Sequence, residues 1–104
     1  MSPLINAVDA QAHEMCESAD GFMRASTVRL KEAGDTESAV RATIIAVREY
    51  EWSAKLWDLL GNHEFARKCR ARAEAANLGT WTDPALNALS GAGMSPGTTD
   101  GSVG

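Results

Sequence analysis

Residues 37–62 read ESAVRATIIAVREYEWSAKLWDLLGN, and the recurrence of apolar positions in this stretch decides the fold. Projected at about 100° per residue, Val40, Ile44, Val47, Tyr50, Ala54 and Trp57 fall on one broad stripe. Ile45, Trp52, Leu56 and Leu59 fall on a second, nearly opposite one. Arg41, Arg48 and Lys55 border the second stripe, and Glu51 and Asp58 interrupt the first. Spacings of three and four predict an α-helix from about Glu37 to Leu60. A helix with two apolar sides needs cover on both. It therefore sits between two other helices, or it offers one stripe to a partner.

Working outward, Gly61-Asn62 reads as a stop and restart, with glycine ending one helix and asparagine capping the next. A third helix follows from about His63 to Asn77, with Phe65, Ala66, Cys69, Ala73 and Ala76 facing inward. Leu78-Gly79 closes it. On the other side, Ala33-Gly34-Asp35-Thr36 separates the central helix from a long first helix, with Asp35 or Thr36 as the cap. Ser2-Pro3 starts that first helix, and Ile5, Val8, Ala12, Met15, Ala19 and Phe22 form its seam, extended by Met23 and Leu30. Gly21 marks a bend or a close helix contact. Past Gly79, Trp81 reads as an anchor and Asp83-Pro84 as a capped start of a short turn through Leu86 and Leu89. From Ser90 the chain is mostly Gly, Ser, Thr and Pro, too poor in apolar surface to offset its chain entropy. We expect an all-α fold: a small three-helix bundle over residues 1–89, with a long helix 1, a helix 2–turn–helix 3 hairpin and a short C-terminal helical turn. Residues 90–104 are expected to be a disordered tail.

At 104 residues there is room for one domain, and an apolar share of 44% is enough for it to fold. The net charge of −4 disfavours a nucleic-acid partner. The start Met1-Ser2-Pro3-Leu4 lacks the basic and apolar regions of a secretory signal, and no apolar run approaches the ~20 residues of a membrane span. Two cysteines, Cys16 and Cys69, are too few for a disulfide framework. We expect free thiols in a reduced, cytoplasmic protein.

Chemistry is sparse. His13 and Cys16 are three apart on helix 1, the only local pairing of a nucleophile with a base. His63 and Cys69 are six apart, about 240° around a helix, and cannot act as one clamp. No metal-binding spacing, nucleophile elbow or phosphate loop occurs, so we expect no metal, no cofactor and no enzyme. Asp9, Glu14, Glu17 and Asp20 read as a solvated face. Arg67, Lys68, Arg70 and Arg72 make helix 3 the one basic element and supply the alternative reading, a nucleic-acid-binding regulator. These four spread around the helix, however, and acids such as Glu14 and Glu17 can neutralise them.

The stretch from Tyr50 to Ala73 resembles one tetratricopeptide-type helical hairpin. Tyr50 and Trp57 stand where such repeats carry large aromatics, and Ala54, Ala66 and Ala73 stand at their small positions. Ser53 replaces the usual leucine, Arg70 replaces an aromatic, and no proline follows Leu78. The resemblance implies a scaffold that binds peptides or proteins without a cofactor.

The function expected is that of a small protein-interaction module: an adaptor, regulator or inhibitor of the kind phages encode against their hosts. It binds a partner protein, or pairs with itself as a homodimer through helix 2. The candidate partner-binding residues are Ile45, Arg48, Trp52, Lys55, Leu56 and Leu59. Burial under helix 3 or the Trp81 segment is the default for Trp52; without that cover it belongs to an exposed patch.

Overall fold

The computed structural model describes residues 2–86. Among them run three long α-helices and no strand: α1 (Pro3–Val28), α2 (Thr36–Leu59) and α3 (His63–Leu78). A further helical turn begins at residues 84–86; Leu89 and the expected loose tail lie outside the described residues. No helix among the described residues is long and apolar enough to cross a membrane.

Each helix begins where a side chain can satisfy its free amides. Ser2 accepts from the Leu4 amide at 3.1 Å ahead of Pro3, Asp35 from Ser38 at 3.1 Å, and Asn62 from Phe65 at 3.2 Å. α1 ends by widening into a π-helical turn, Arg29–Ala33. Gly34 then takes a left-handed φ of 67°, and Gly61 a φ of 80° at the turn into α3, a region that side chains with a Cβ rarely adopt. Gly21 mediates no close contact: α1 continues unbroken through it, and no atom stands within 4 Å of where a Cβ would be.

α2 is the middle helix and packs against both α1 and α3. Its buried seam is Ala39, Ala42, Ala46, Tyr50, Ser53, Ala54 and Trp57. The expected first stripe is therefore half corrected. Tyr50, Ala54 and Trp57 are core, but Val40 and Ile44 lie in the open, and the seam swings round to the alanines. The cause is spacing. Helices that approach closely have room only for small side chains, so Ala12 and Ala19 of α1 and Ala66, Ala73 and Ala76 of α3 line the facing surfaces. Tyr50 and Trp57 fill what the alanines leave, one in each of two core clusters. The ends of the α1 seam, Ile5 and Leu30, are exposed, and Phe65 sits at the rim of the core instead of inside it.

Polar contacts tie the helices across these alanine faces. Ser26 of α1 donates to the Ala39 carbonyl of α2 at 2.8 Å, and Ser53 of α2 donates to the Ala12 carbonyl at 2.7 Å. Between them, the buried Tyr50 hydroxyl donates to Asp20. The segment after α3 folds back on this point. Trp81 Nε1 donates to the Tyr50 oxygen at 3.0 Å, and Arg24 clasps both carboxylate oxygens of Asp83 at 2.6 and 3.0 Å.

Candidate functional site

Two surfaces of the bundle carry features that the core does not consume. The first is the outer face of α2. Ile45, Trp52 and Leu59 recur every seven residues, which on a straight α-helix drifts by only about 20° per step, so they form one row. That row faces away from both neighbouring helices. Trp52 is 51% exposed and Leu59 80%. Neither α3 nor the Trp81 segment shields Trp52, so its default burial does not hold. Leu56 parts company with the row: it turns half inward and packs with Leu60 on the core cluster around Trp57. Arg41, Arg48 and Lys55 run alongside, also seven apart. Arg41 is paired with Glu37 at 2.7 Å. Arg48 and Lys55 have no ion-pair partner among the described residues. On the other side of the basic row, Val40 and Ile44 add exposed apolar surface.

The second is a cleft of about 330 Å³ between α1 and α3, lined by His13, Cys16, Asp20, Cys69 and Arg72 among others. Here the two cysteines, 53 residues apart in sequence, bring their sulfurs to 3.9 Å as free thiols. Arg72 donates one Nη1 to Cys16 Sγ at 3.1 Å and to Asp20 Oδ2 at 3.2 Å. Ser53 Oγ lies 3.6 Å from Cys69 Sγ. The thiols behave as a pair. Once one proton leaves, the remaining S–H stabilises the thiolate, which draws Cys69 down to about 6 against the pull of burial and pushes Cys16 above the ordinary thiol range. Positive charge on Arg72 favours the thiolate at both positions. Burial and the bond to Asp20 likewise raise the Tyr50 hydroxyl above its usual range.

The acidic face expected on α1 is thus broken at Asp20, which is buried under Tyr50 and Arg72. The structure also corrects the expected partners of the basic helix. Arg70 binds Asp58 at 2.6 Å, and Arg72 binds Asp20. Lys68 reaches Glu64 at 3.8 Å and lies over the Phe65 ring. Arg67 alone of the four makes no ion pair among the described residues.

His13 turns to Asp9, at 3.6 Å, and meets the ring of Trp57 edge-on, so it makes no hydrogen bond to Cys16. His63 pairs with Asp58 at 2.7 Å. Among the described residues no three His, Cys, Asp or Glu side chains stand close enough to hold a metal ion.

The signals available in sequence reached the exposed row and missed the cleft. Cys16 and Asp20 belong to α1 and Cys69 and Arg72 to α3, and no spacing along the chain encodes the meeting of the two pairs. The described residues form a small three-helix bundle with one exposed apolar row on α2. No family model matches the chain, nor does any curated protein or any solved structure.

Proposed function

We propose that the chain is a non-enzymatic protein-interaction module that binds its partner on the outer face of α2. The observation that supports this most is the row Ile45, Trp52 and Leu59, with a half-exposed tryptophan at its centre and none of the three in the buried core. Exposed aromatic and aliphatic side chains in one line, edged by charge, are the composition of binding hot spots. Arg48 and Lys55 supply specificity for carboxylates along one edge of the partner.

That same edge argues for a different protein over a second copy. In an antiparallel pairing of two α2 helices, like flanks meet, so Arg48 and Lys55 would face their own counterparts. A partner helix or strand with an acidic border fits better. Activity as an adaptor, a regulator or an inhibitor is compatible with such a face. The nucleic-acid alternative finds less support, because three of its four cations already have carboxylate partners.

The test is site-specific photo-crosslinking in cells that express the chain, with the reactive group at 52, at 59 and, as a control, at 67. The proposal expects one shared protein captured from 52 and 59 and not from 67. Capture only of a second copy would replace the acidic partner with a homodimer. Equal, scattered labelling from all three positions would remove the reading.

A further inference from the structure

The thiol cleft has no part in that reading and supports an inference of its own. We propose that Cys16 and Cys69 form a modification site for small hydroperoxides, a dithiol that one equivalent of hydrogen peroxide converts into a disulfide joining α1 to α3.

Three observations converge on it. The first is distance. The sulfurs stand 3.9 Å apart across two helices, so a bond of about 2.05 Å needs them to close by roughly 1.9 Å. Closing that gap takes side-chain rotation and an approach of α1 toward α3. The second is charge. Arg72 holds a guanidinium 3.1 Å from Cys16 Sγ and is itself fixed by Asp20. Positive charge beside a thiol favours the thiolate, the form that reacts. Ser53 and the partner thiol add hydrogen bonds to the same end. The third is access. Both sulfurs line the cleft, but Cys69 is only 3% exposed. Hydrogen peroxide is small enough to reach a sulfur so covered, and a bulky disulfide has the harder approach. The oxidant class follows from that restriction.

The chemistry runs in two steps. A thiolate of the pair, held beside Arg72, attacks one peroxide oxygen; an S–O bond forms, the O–O bond breaks, and hydroxide leaves and takes up a proton as water. That cysteine is now a sulfenic acid. The second sulfur then attacks the oxidised one, forming the S–S bond and breaking the S–O bond. The departing hydroxide takes the second thiol's proton and leaves as a second water. Two thiols have given two electrons to one peroxide. A thiol reductant reverses the change by exchange. Because α1 and α3 are otherwise held mainly through α2, the new bond links the two outer helices directly.

The experiment uses the full chain, reduced and then treated with hydrogen peroxide in graded amounts. Intact mass and peptide mapping should show the loss of two hydrogens, a Cys16–Cys69 cross-link within one chain, and full reversal by dithiothreitol. The single variant that keeps the reactive thiol, Cys16→Ser or Cys69→Ser, should accumulate a sulfenic acid that a 1,3-dione traps. Arg72→Gln should form the disulfide about tenfold more slowly at neutral pH, the effect of roughly one unit in thiol acidity, with the gap narrowing in alkali; Arg72→Lys should restore much of the rate. A wild-type chain that gains oxygen without the cross-link overturns the proposal. So does one that bridges only between chains, or one that reacts no faster than free cysteine.

Discussion

Ser53 of α2 is wholly buried and donates its hydroxyl to the main-chain carbonyl of Ala12 in α1 at 2.7 Å. The same oxygen lies 3.6 Å from Cys69 Sγ on α3, so one small side chain spans all three helices. Ser53→Leu should overpack this point and cost about 1–3 kcal/mol. Ser53→Ala keeps the volume and should cost about 1 kcal/mol for the lost hydrogen bond. Urea denaturation of both variants checks the order. A Ser53→Leu chain as stable as the parent would show that the helices are not held at alanine spacing.

Tyr50→Phe should be the more damaging polar deletion. It removes a donor from buried Asp20 and the acceptor of Trp81 Nε1, leaving a carboxylate held by Arg72 alone. The expected loss is about 2–3 kcal/mol. Trp81 should also lose its fixed place, and its fluorescence should shift toward that of a solvated indole. Unchanged stability together with unchanged emission would contradict the network described.

Trp52 and Trp57 are five positions apart on one helix and should behave as opposites. Trp57 is 4% exposed and packs edge-on against Phe65 and His13, so Trp57→Ala should cost about 3–5 kcal/mol. Trp52→Glu and Leu59→Glu touch no core and should stay within about 0.5 kcal/mol of the parent. Parallel denaturation curves decide it. A large loss at Trp52 would mean that the residue supports the fold and that the exposed row is not free for a partner.

Acid should weaken the fold in a defined window. Hydrogen bonds from His63 and then Arg70 hold the Asp58 carboxyl below its usual range. Arg24 does the same for Asp83, and the Ser38 amide for Asp35. A carboxyl lowered in the folded state favours folding while ionised. This contribution is complete above the unfolded value near about 4 and fades as pH falls through the lowered folded values. The thermal midpoint should therefore hold between about pH 5 and 7 with respect to these groups and drop below about pH 4. A double variant, Asp58→Asn with Asp83→Asn, should melt lower at neutral pH and decline less in acid. A decline as steep as the parent's would move the acid sensitivity elsewhere.

Much of the architecture was legible because helix ends announce themselves: Ser2-Pro3, Asp35 and Asn62 cap as their chemistry dictates, and Gly34 and Gly61 end what precedes them. The inner face of α2 was legible only in part. Val40 and Ile44 outweigh Ala39, Ala42 and Ala46 on any scale of hydrophobicity, yet a close helix contact selects for smallness, and that preference is invisible to a count of apolar surface. The exposed row emerged because it repeats along one helix. The thiol cleft did not, because Cys16 and Asp20 of α1 meet Cys69 and Arg72 of α3 only once the two outer helices are brought together. Asp20 looked like one more surface acid until Tyr50 and Arg72 closed over it.

Alanine faces have a further consequence for how α1 and α2 find their alignment. Large interdigitating side chains notch two helices together, but a methyl-lined surface is nearly smooth, and sliding by a turn sacrifices little van der Waals contact. What halts the slide is the set of latches at three heights: Ser26 at Ala39, Asp20 at Tyr50, and Ala12 at Ser53. Any shift along the axis breaks all three at once, so the polar atoms choose the one permitted alignment and the apolar ones merely make it compact.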